Sequence, residues 1–272
     1  MSSTVEESIQ IAVGDGEAIA GTLVSPGTLI PGVLFVHGWG GSQAQYLARA
    51  REVAALGCVC LAFDLRGHAL TKRQFETVSR EQNLADLVAA YDTLAREPHV
   101  DRDAIAVVGS SYGGYLAAIL TTMRPVKWLA LRAPALYMES GWQSPKLQLH
   151  RDQDLRSYRG SLVPASDNRA LKACQAFGGD MLIVQSENDA IIPKATIASY
   201  REAATKARSL TWRCLAGADH GLTNPADQHA YSTVLVGWLK EMIGGARRGP
   251  VEPPPREFAT PPESPPEQTV AH

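Results

Sequence analysis

The chain has 272 residues, of which 45% are hydrophobic, so it can bury a sizeable core and fits one large domain better than two small ones. A formal net charge of -2 and an isoelectric point near 6.4 leave no electrostatic footprint for nucleic acid, and no basic run stands out before Arg247 and Arg248. No run approaches the roughly 18 apolar residues of a membrane span, and the first eight residues are polar and acidic where a signal peptide would be basic and then apolar. A soluble, cytoplasmic protein is therefore expected, without nucleic acid as a partner. The four cysteines lack any metal-ligand spacing and read as buried thiols.

In chain order, residues 8–13 and 19–24 read as two short strands around the turn signal Gly14-Asp15-Gly16, which predicts an antiparallel hairpin at a sheet edge. The continuous apolar run Val33-Leu34-Phe35-Val36 has the pattern of a strand buried on both faces, and residues 44–56 follow with helical spacing. A strand over 58–63 precedes a helix over 81–96, where Leu84, Leu87, Val88, Tyr91 and Leu94 recur at three- and four-residue steps. Strand 104–108 then leads into a helix starting near Tyr112, followed by strand 127–132. Beyond an irregular stretch come a helix over about 168–177, strand 181–185, helix 194–206, strand 210–215 and helix 227–242. Such alternation predicts an α/β fold with a mostly parallel sheet covered on both faces, whose ligands sit at the carboxyl ends of the strands.

Two stretches break the rhythm. Residues 134–164 are too long for an ordinary connection and are expected to form a small cap insert. Residues 246–272, rich in proline and glutamate, are expected to be a disordered tail after a domain over 1–245, with a docking arm as the alternative.

The run Val107-Val108-Gly109-Ser110-Ser111-Tyr112-Gly113-Gly114 places Gly-x-Ser-x-Gly between a strand-like and a helix-like segment. A serine on such a turn projects its hydroxyl above the carboxyl edge of the sheet, which makes Ser111 the candidate nucleophile. A hydroxyl is weakly nucleophilic at neutral pH and needs a base, itself oriented by an acid. Ala218-Asp219-His220-Gly221 and Ser186-Glu187-Asn188-Asp189 each follow a strand, so the order Ser111, Asp189, His220 is available. His99, His150 and His229 are more simply read as solvated residues.

That order and its context resemble the α/β-hydrolase superfamily from the first hairpin to Met242. The resemblance implies an eight-stranded, mostly parallel sheet. Its acid loop, usually Gly-x-x-Asp-x-x-x-Pro, is matched by Asp189 and Pro193 with Ser186 in place of glycine, which implies Asp189 as the acid and leaves Glu187 as an alternative. His37-Gly38-Trp39-Gly40-Gly41 resembles the family's loop after the first buried strand, and implies the backbone N–H groups of Trp39 and Tyr112 as oxyanion donors, with His37 structural. Asp64-Leu65-Arg66-Gly67-His68 resembles Asp-x-Arg-Gly-His-Gly, except that Ala69 stands where the pattern has its last glycine; Asp64, Arg66 and His68 read as scaffold.

The elbow Ser-Tyr-Gly-Gly-Tyr is similar to that of prolyl-oligopeptidase-type and acylaminoacyl peptidases, which carry accessory domains for which this length has no room. The resemblance thus points to single-domain carboxylesterases of the cinnamoyl or feruloyl esterase and dienelactone-hydrolase-like type. It implies a small acyl ester substrate and no metal or organic cofactor. Tyr137, Trp142 and Tyr158 of the insert either line the substrate pocket or pack the cap onto the body. Alternatives are an acyl thioesterase, with Arg151, Arg156 and Arg159 near the mouth, an acylaminoacyl-type peptidase, and a non-catalytic ligand-binding protein of the same fold. No pattern specifies a homo-oligomer.

Overall fold

The computed structural model describes residues 5–13, 16–25 and 30–247. Gly14 and Asp15 of the expected turn, and residues 248–272 of the expected tail, lie outside the described residues.

Strands β1 (Val5–Ala12) and β2 (Ala18–Ser25) pair antiparallel, as the hairpin pattern predicts. β2 also pairs antiparallel with β4 (Val59–Phe63), which lies parallel to β3 (Ile30–Val36). β5 (Val100–Ser110), β6 (Trp128–Arg132), β7 (Asp180–Ser186) and β8 (Ser209–Leu215) continue the parallel part. The eight-stranded sheet has the order β1-β2-β4-β3-β5-β6-β7-β8. The reading of an α/β-hydrolase sheet with mostly parallel strands is thus correct.

Successive side chains of a strand face opposite ways, and the two faces of β5 bury different partners. Ile105 and Val107 face a core that includes α2 (Arg80–Arg96), α3 (Tyr112–Leu120), α6 (Arg169–Ala176) and α7 (Lys194–Ala203). Ala104, Ala106 and Val108 face the other core, filled by α1 (Leu47–Ala54) and by Tyr231, Leu235, Trp238 and Leu239 of α8 (Pro225–Arg247). Every residue of β3, β4, β6 and β7 is buried, which is why these strands read as continuous apolar runs rather than alternating ones.

The helix expected over 44–56 is shorter. Gln43–Gln45 forms a separate 3-10 turn, because Asp64 at the end of β4 accepts hydrogen bonds from the Gln43 N–H and side-chain amide, both at 2.8 Å. Residues 134–164 hold two short helices, α4 (Leu149–Asp152) and α5 (Leu155–Gly160), whose Leu149 and Leu155 join the α3 side of the core. Arg159 Nε donates to the Leu136 carbonyl at 2.8 Å, Asn168 Nδ2 to that of Tyr137 at 2.9 Å, and Arg80 Nη1 to that of Met138 at 2.9 Å. Cys58, Cys60 and Cys174 are buried as expected, whereas Cys214, on edge strand β8, is exposed. Among the described residues no helix is long and apolar enough to cross a membrane.

Candidate active site

Ser111 lies between β5 and α3 with φ +51° and ψ -116°, a conformation L-residues rarely hold. The surroundings over-determine it. The Ser111 N–H donates to the Arg132 carbonyl at 2.8 Å, and the Ser111 carbonyl accepts from Ala135 at 3.0 Å and Tyr115 at 3.1 Å. A Cβ on Gly109 would stand 2.5 Å from the Gly113 carbonyl oxygen, and one on Gly113 would stand 2.4 Å from the carbonyl oxygens of Val36 and His37. Both glycines of the motif are therefore required by close backbone approach between β3, β5 and α3.

His220 and Asp189 come from the loops after β8 and β7. His220 Nε2 lies 3.1 Å from Ser111 Oγ, and its Nδ1 lies 2.7 Å from Asp189 Oδ2. The other oxygen, Oδ1, accepts from the N–H groups of Ile191 at 2.8 Å and Ile192 at 2.7 Å. Burial by itself raises the Asp189 pKa, but His220 and these two backbone donors outweigh it and hold the carboxyl below its ordinary value. An ionised carboxylate fixes the Nδ1–H tautomer, leaving Nε2 as the acceptor facing the serine hydroxyl. Glu187, the alternative acid, is exposed and accepts instead from the Gly217 N–H at 2.8 Å.

The loop after β3 lies across the serine: a Cβ on Gly38 would come within 3.3 Å of Ser111 Cβ. His37 is fully buried, with Nδ1 against the Gly38 carbonyl at 2.8 Å and Nε2 accepting from Leu65 at 3.0 Å. Burial dominates and pushes its pKa down to about 4, so it is neutral at pH 7. His68 Nε2 accepts the Gly40 N–H at 2.9 Å, and Trp39 packs between His68, Phe75 and Tyr112. Tyr112 opens α3, so its N–H has no intrahelical acceptor and stands beside Ser111. Beneath this loop, Asp86 of α2 accepts from Arg66 Nε at 2.6 Å and from the Arg66 N–H at 2.9 Å. Asn83 Nδ2 donates to the Arg66 carbonyl at 3.0 Å, while its Oδ1 accepts from the Tyr112 hydroxyl at 3.1 Å. Asp64, Arg66 and His68 thus hold backbone, and Ala69 adopts φ +46°, the left-handed conformation for which the resembled pattern has glycine.

A cavity of about 290 Å³ opens at Ser111 and His220. Besides the Gly38–Gly41 loop, its lining includes Gln45, Tyr46, Arg49, Ser110, Arg132 and Tyr231. It therefore lies toward α1 and α8, and none of Tyr137, Trp142 and Tyr158 is among its lining residues. Tyr137 is buried against the rings of Tyr112 and Tyr115, and Trp142 stacks on Tyr115 with the guanidinium groups of Arg80 and Arg169 at 4.7 and 4.3 Å from its ring centroid. The Tyr158 hydroxyl lies 3.2 Å from Asn168 Nδ2. Tyr137 is part of the core on the α3 side, and Trp142 and Tyr158 pack against that core. The sequence motifs mark the Gly38–Gly41 loop, Ser111 and His220 of this lining but not Gln45, Tyr46, Arg49, Arg132 or Tyr231; Arg132, last residue of β6, occupies a strand's carboxyl end, where ligands of such sheets are expected. Among the described residues no group of three or more His, Cys, Asp or Glu could hold a metal ion.

The prolyl oligopeptidase family matches residues 43–246, a stretch that contains Ser111, Asp189 and His220. No curated protein matches the chain. Among solved structures, the chain is similar to Est1E from Butyrivibrio proteoclasticus, described with bound ferulic acid, at 16% identity and TM-score 0.67, over 87% of this chain and 100% of that one. It is also similar to a dienelactone hydrolase from Anabaena variabilis at 21% identity and TM-score 0.60, over 88% of this chain and 98% of that one. An acylaminoacyl peptidase from Pyrococcus horikoshii is similar at 14% identity and TM-score 0.65, over 87% of this chain but 41% of the peptidase.

Proposed function

The chain belongs to the prolyl oligopeptidase family, and from that premise we propose that it is a serine hydrolase that cleaves carboxylic esters through an acyl-enzyme on Ser111. The observation that carries this reading is the continuous hydrogen-bonded chain from Ser111 Oγ through the two nitrogens of His220 to Asp189 Oδ2, at 3.1 and 2.7 Å. In the proposed mechanism His220 Nε2 takes the hydroxyl proton as Oγ attacks the ester carbonyl, and Asp189 stabilises the imidazolium. The N–H groups of Trp39 and Tyr112 would stabilise the oxyanion. The leaving alcohol takes the proton from His220. Water then repeats the sequence on the acyl-enzyme, releasing the acid and restoring Ser111.

Two of the similar structures named above, Est1E with bound ferulic acid and a dienelactone hydrolase, align over essentially their whole length, which supports an ester substrate. Family membership itself favours a second reading, cleavage of an acylated amino acid or peptide amide. Turnover of p-nitrophenyl esters from acetate to decanoate, ethyl ferulate, an acyl-CoA and acetyl-alanyl p-nitroanilide tests both. Ester kcat/KM is expected to exceed that for the anilide, and Ser111→Ala to lower it by on the order of 10⁴-fold or more. Turnover that survives Ser111→Ala sinks the mechanism, and a faster anilide reaction selects the second reading.

A further inference from the structure

Among the described residues, the lining of the cavity at Ser111 carries two arginines and no acidic residue. Arg132 is 7% exposed; its Nε donates to Ser110 Oγ at 3.2 Å and its Nη2 to the His220 carbonyl at 2.7 Å, while its buried Nη1 has no hydrogen-bond partner among the described residues. Arg49, on α1, is half-buried, lies with its guanidinium 4.9 Å from the Tyr231 ring centroid and donates from Nη1 to the Gln45 carbonyl at 2.9 Å, while its Nε has no hydrogen-bond partner among the described residues. Among the described residues neither arginine makes an ion pair. Asp219, outside the cavity lining, is half-buried; its carboxylate accepts from the N–H of Thr223 at 2.9 Å and from its hydroxyl, and the charge of Arg132 is the smallest of the influences that hold it below its ordinary pKa. The tyrosines 46 and 231 complete a polar wall, each hydroxyl lying against Ser110.

Burying a guanidinium among neutral acceptors is costly unless a counter-charge arrives. This pair sits in the cavity that receives the substrate, and the Arg132 carbonyl and guanidinium also hold Ser111 and His220 in place. We propose that the cavity is a carboxylate subsite, and that the substrates are anionic esters whose free carboxylate lies a few bonds from the scissile carbonyl. Arg49 meets that carboxylate at the more open side, and Arg132 supplies the second positive charge from beneath. The inference rests on the serine hydrolase reading and deepens it. It concerns the α1 and α8 side of Ser111 and does not involve the insert.

Paired substrates test it. Mono-p-nitrophenyl glutarate against p-nitrophenyl valerate places the charge on the acyl side; meta-acetoxybenzoate against phenyl acetate places it on the leaving group. The anionic member of at least one pair is expected to have kcat/KM about tenfold or more above its neutral counterpart at low salt, narrowing as salt is raised. Arg49→Gln is expected to lower that ratio by about tenfold, chiefly through KM, with Arg49→Lys recovering part of it. Arg213→Gln, an exposed site on edge strand β8 that makes the same change in net charge, should leave the ratio as it was. Arg132→Lys is a harsher change because Arg132 supports His220, so the ratio in Arg49→Gln decides. Ser111-dependent turnover with no anionic preference, or a preference that Arg49→Gln leaves intact, overturns the subsite while the hydrolase reading stands. Absence of turnover together with no labelling of Ser111 by a fluorophosphonate overturns both. If Ser111 labels but no ester turns over, glutarate must slow the labelling of wild type and not of Arg49→Gln, or the subsite falls.

Discussion

Ala69 holds a φ of +46°, two residues after Gly67 at +85°, on the loop whose His68 ring accepts the Gly40 N–H. An alanine in the left-handed region costs roughly 1–2 kcal/mol, of which a glycine returns part through its more flexible unfolded chain. Ala69→Gly is therefore expected to stabilise the protein by about 0.5–1 kcal/mol, read as a higher urea midpoint at unchanged slope. A lower midpoint would mean that packing, and not backbone strain, governs this loop. Ser111 is the opposite case. Its φ of +51° is held by bonds to Arg132, Ala135 and Tyr115, and there the unusual conformation presents the hydroxyl to His220.

At the scale of an element, α2 links the sheet edge to the candidate site. Its first turn is closed by a capping box, in which Ser79 Oγ accepts from the Gln82 N–H at 3.1 Å and Gln82 Oε1 accepts from the Ser79 N–H at 2.9 Å. The first two turns carry Arg80, Asn83 and Asp86, which anchor the insert, the Tyr112 hydroxyl and the Arg66 backbone respectively. Loss of a helix cap costs about 1 kcal/mol. Ser79→Ala is expected to destabilise by about that amount, and Ser79→Ala combined with Gln82→Ala by less than the sum, because the two bonds are reciprocal. Strict additivity in a double-mutant cycle would show that the box does not act as one unit.

For the whole molecule, the polar layer under the active-site loops sets the response to acid. Burial lowers the pKa of His37 to about 4 and lowers that of His68 as well, whereas an unfolded histidine titrates near 6.5. Between these values the unfolded chain binds protons that the folded chain refuses, so stability is full above about pH 6.5 and falls as the pH drops toward 4. The shift of His37 corresponds to about 3 kcal/mol, and His68 adds in the same direction. Urea midpoints at about pH 7.5 and about pH 4.5 should differ markedly in wild type and less in His37→Asn, whose side chain does not titrate. An equal loss in both proteins would assign the acid sensitivity elsewhere.

Residue type and spacing alone specify the sheet and the order of candidate groups along it. Buried parallel strands need continuous apolar runs such as Val33 to Val36, and the elbow needs glycine at 109 and 113 because backbone from β3 and α3 passes there. Those are local demands, written in residue type and spacing. The short α1 was not legible, because its start is set by Asp64, about 20 residues away in sequence and a neighbour only once β4 is in the sheet. Nor was the side on which the cavity opens. Tyr137 and Trp142 are aromatic and follow β6, yet they face the packed core under the insert, while Arg49 from α1 and Arg132 from β6 meet at Ser111 only in the folded chain. Residue spacing encodes which face of an element is apolar; which elements converge on one cavity is decided by the order of strands in the sheet and the packing of helices on its two faces.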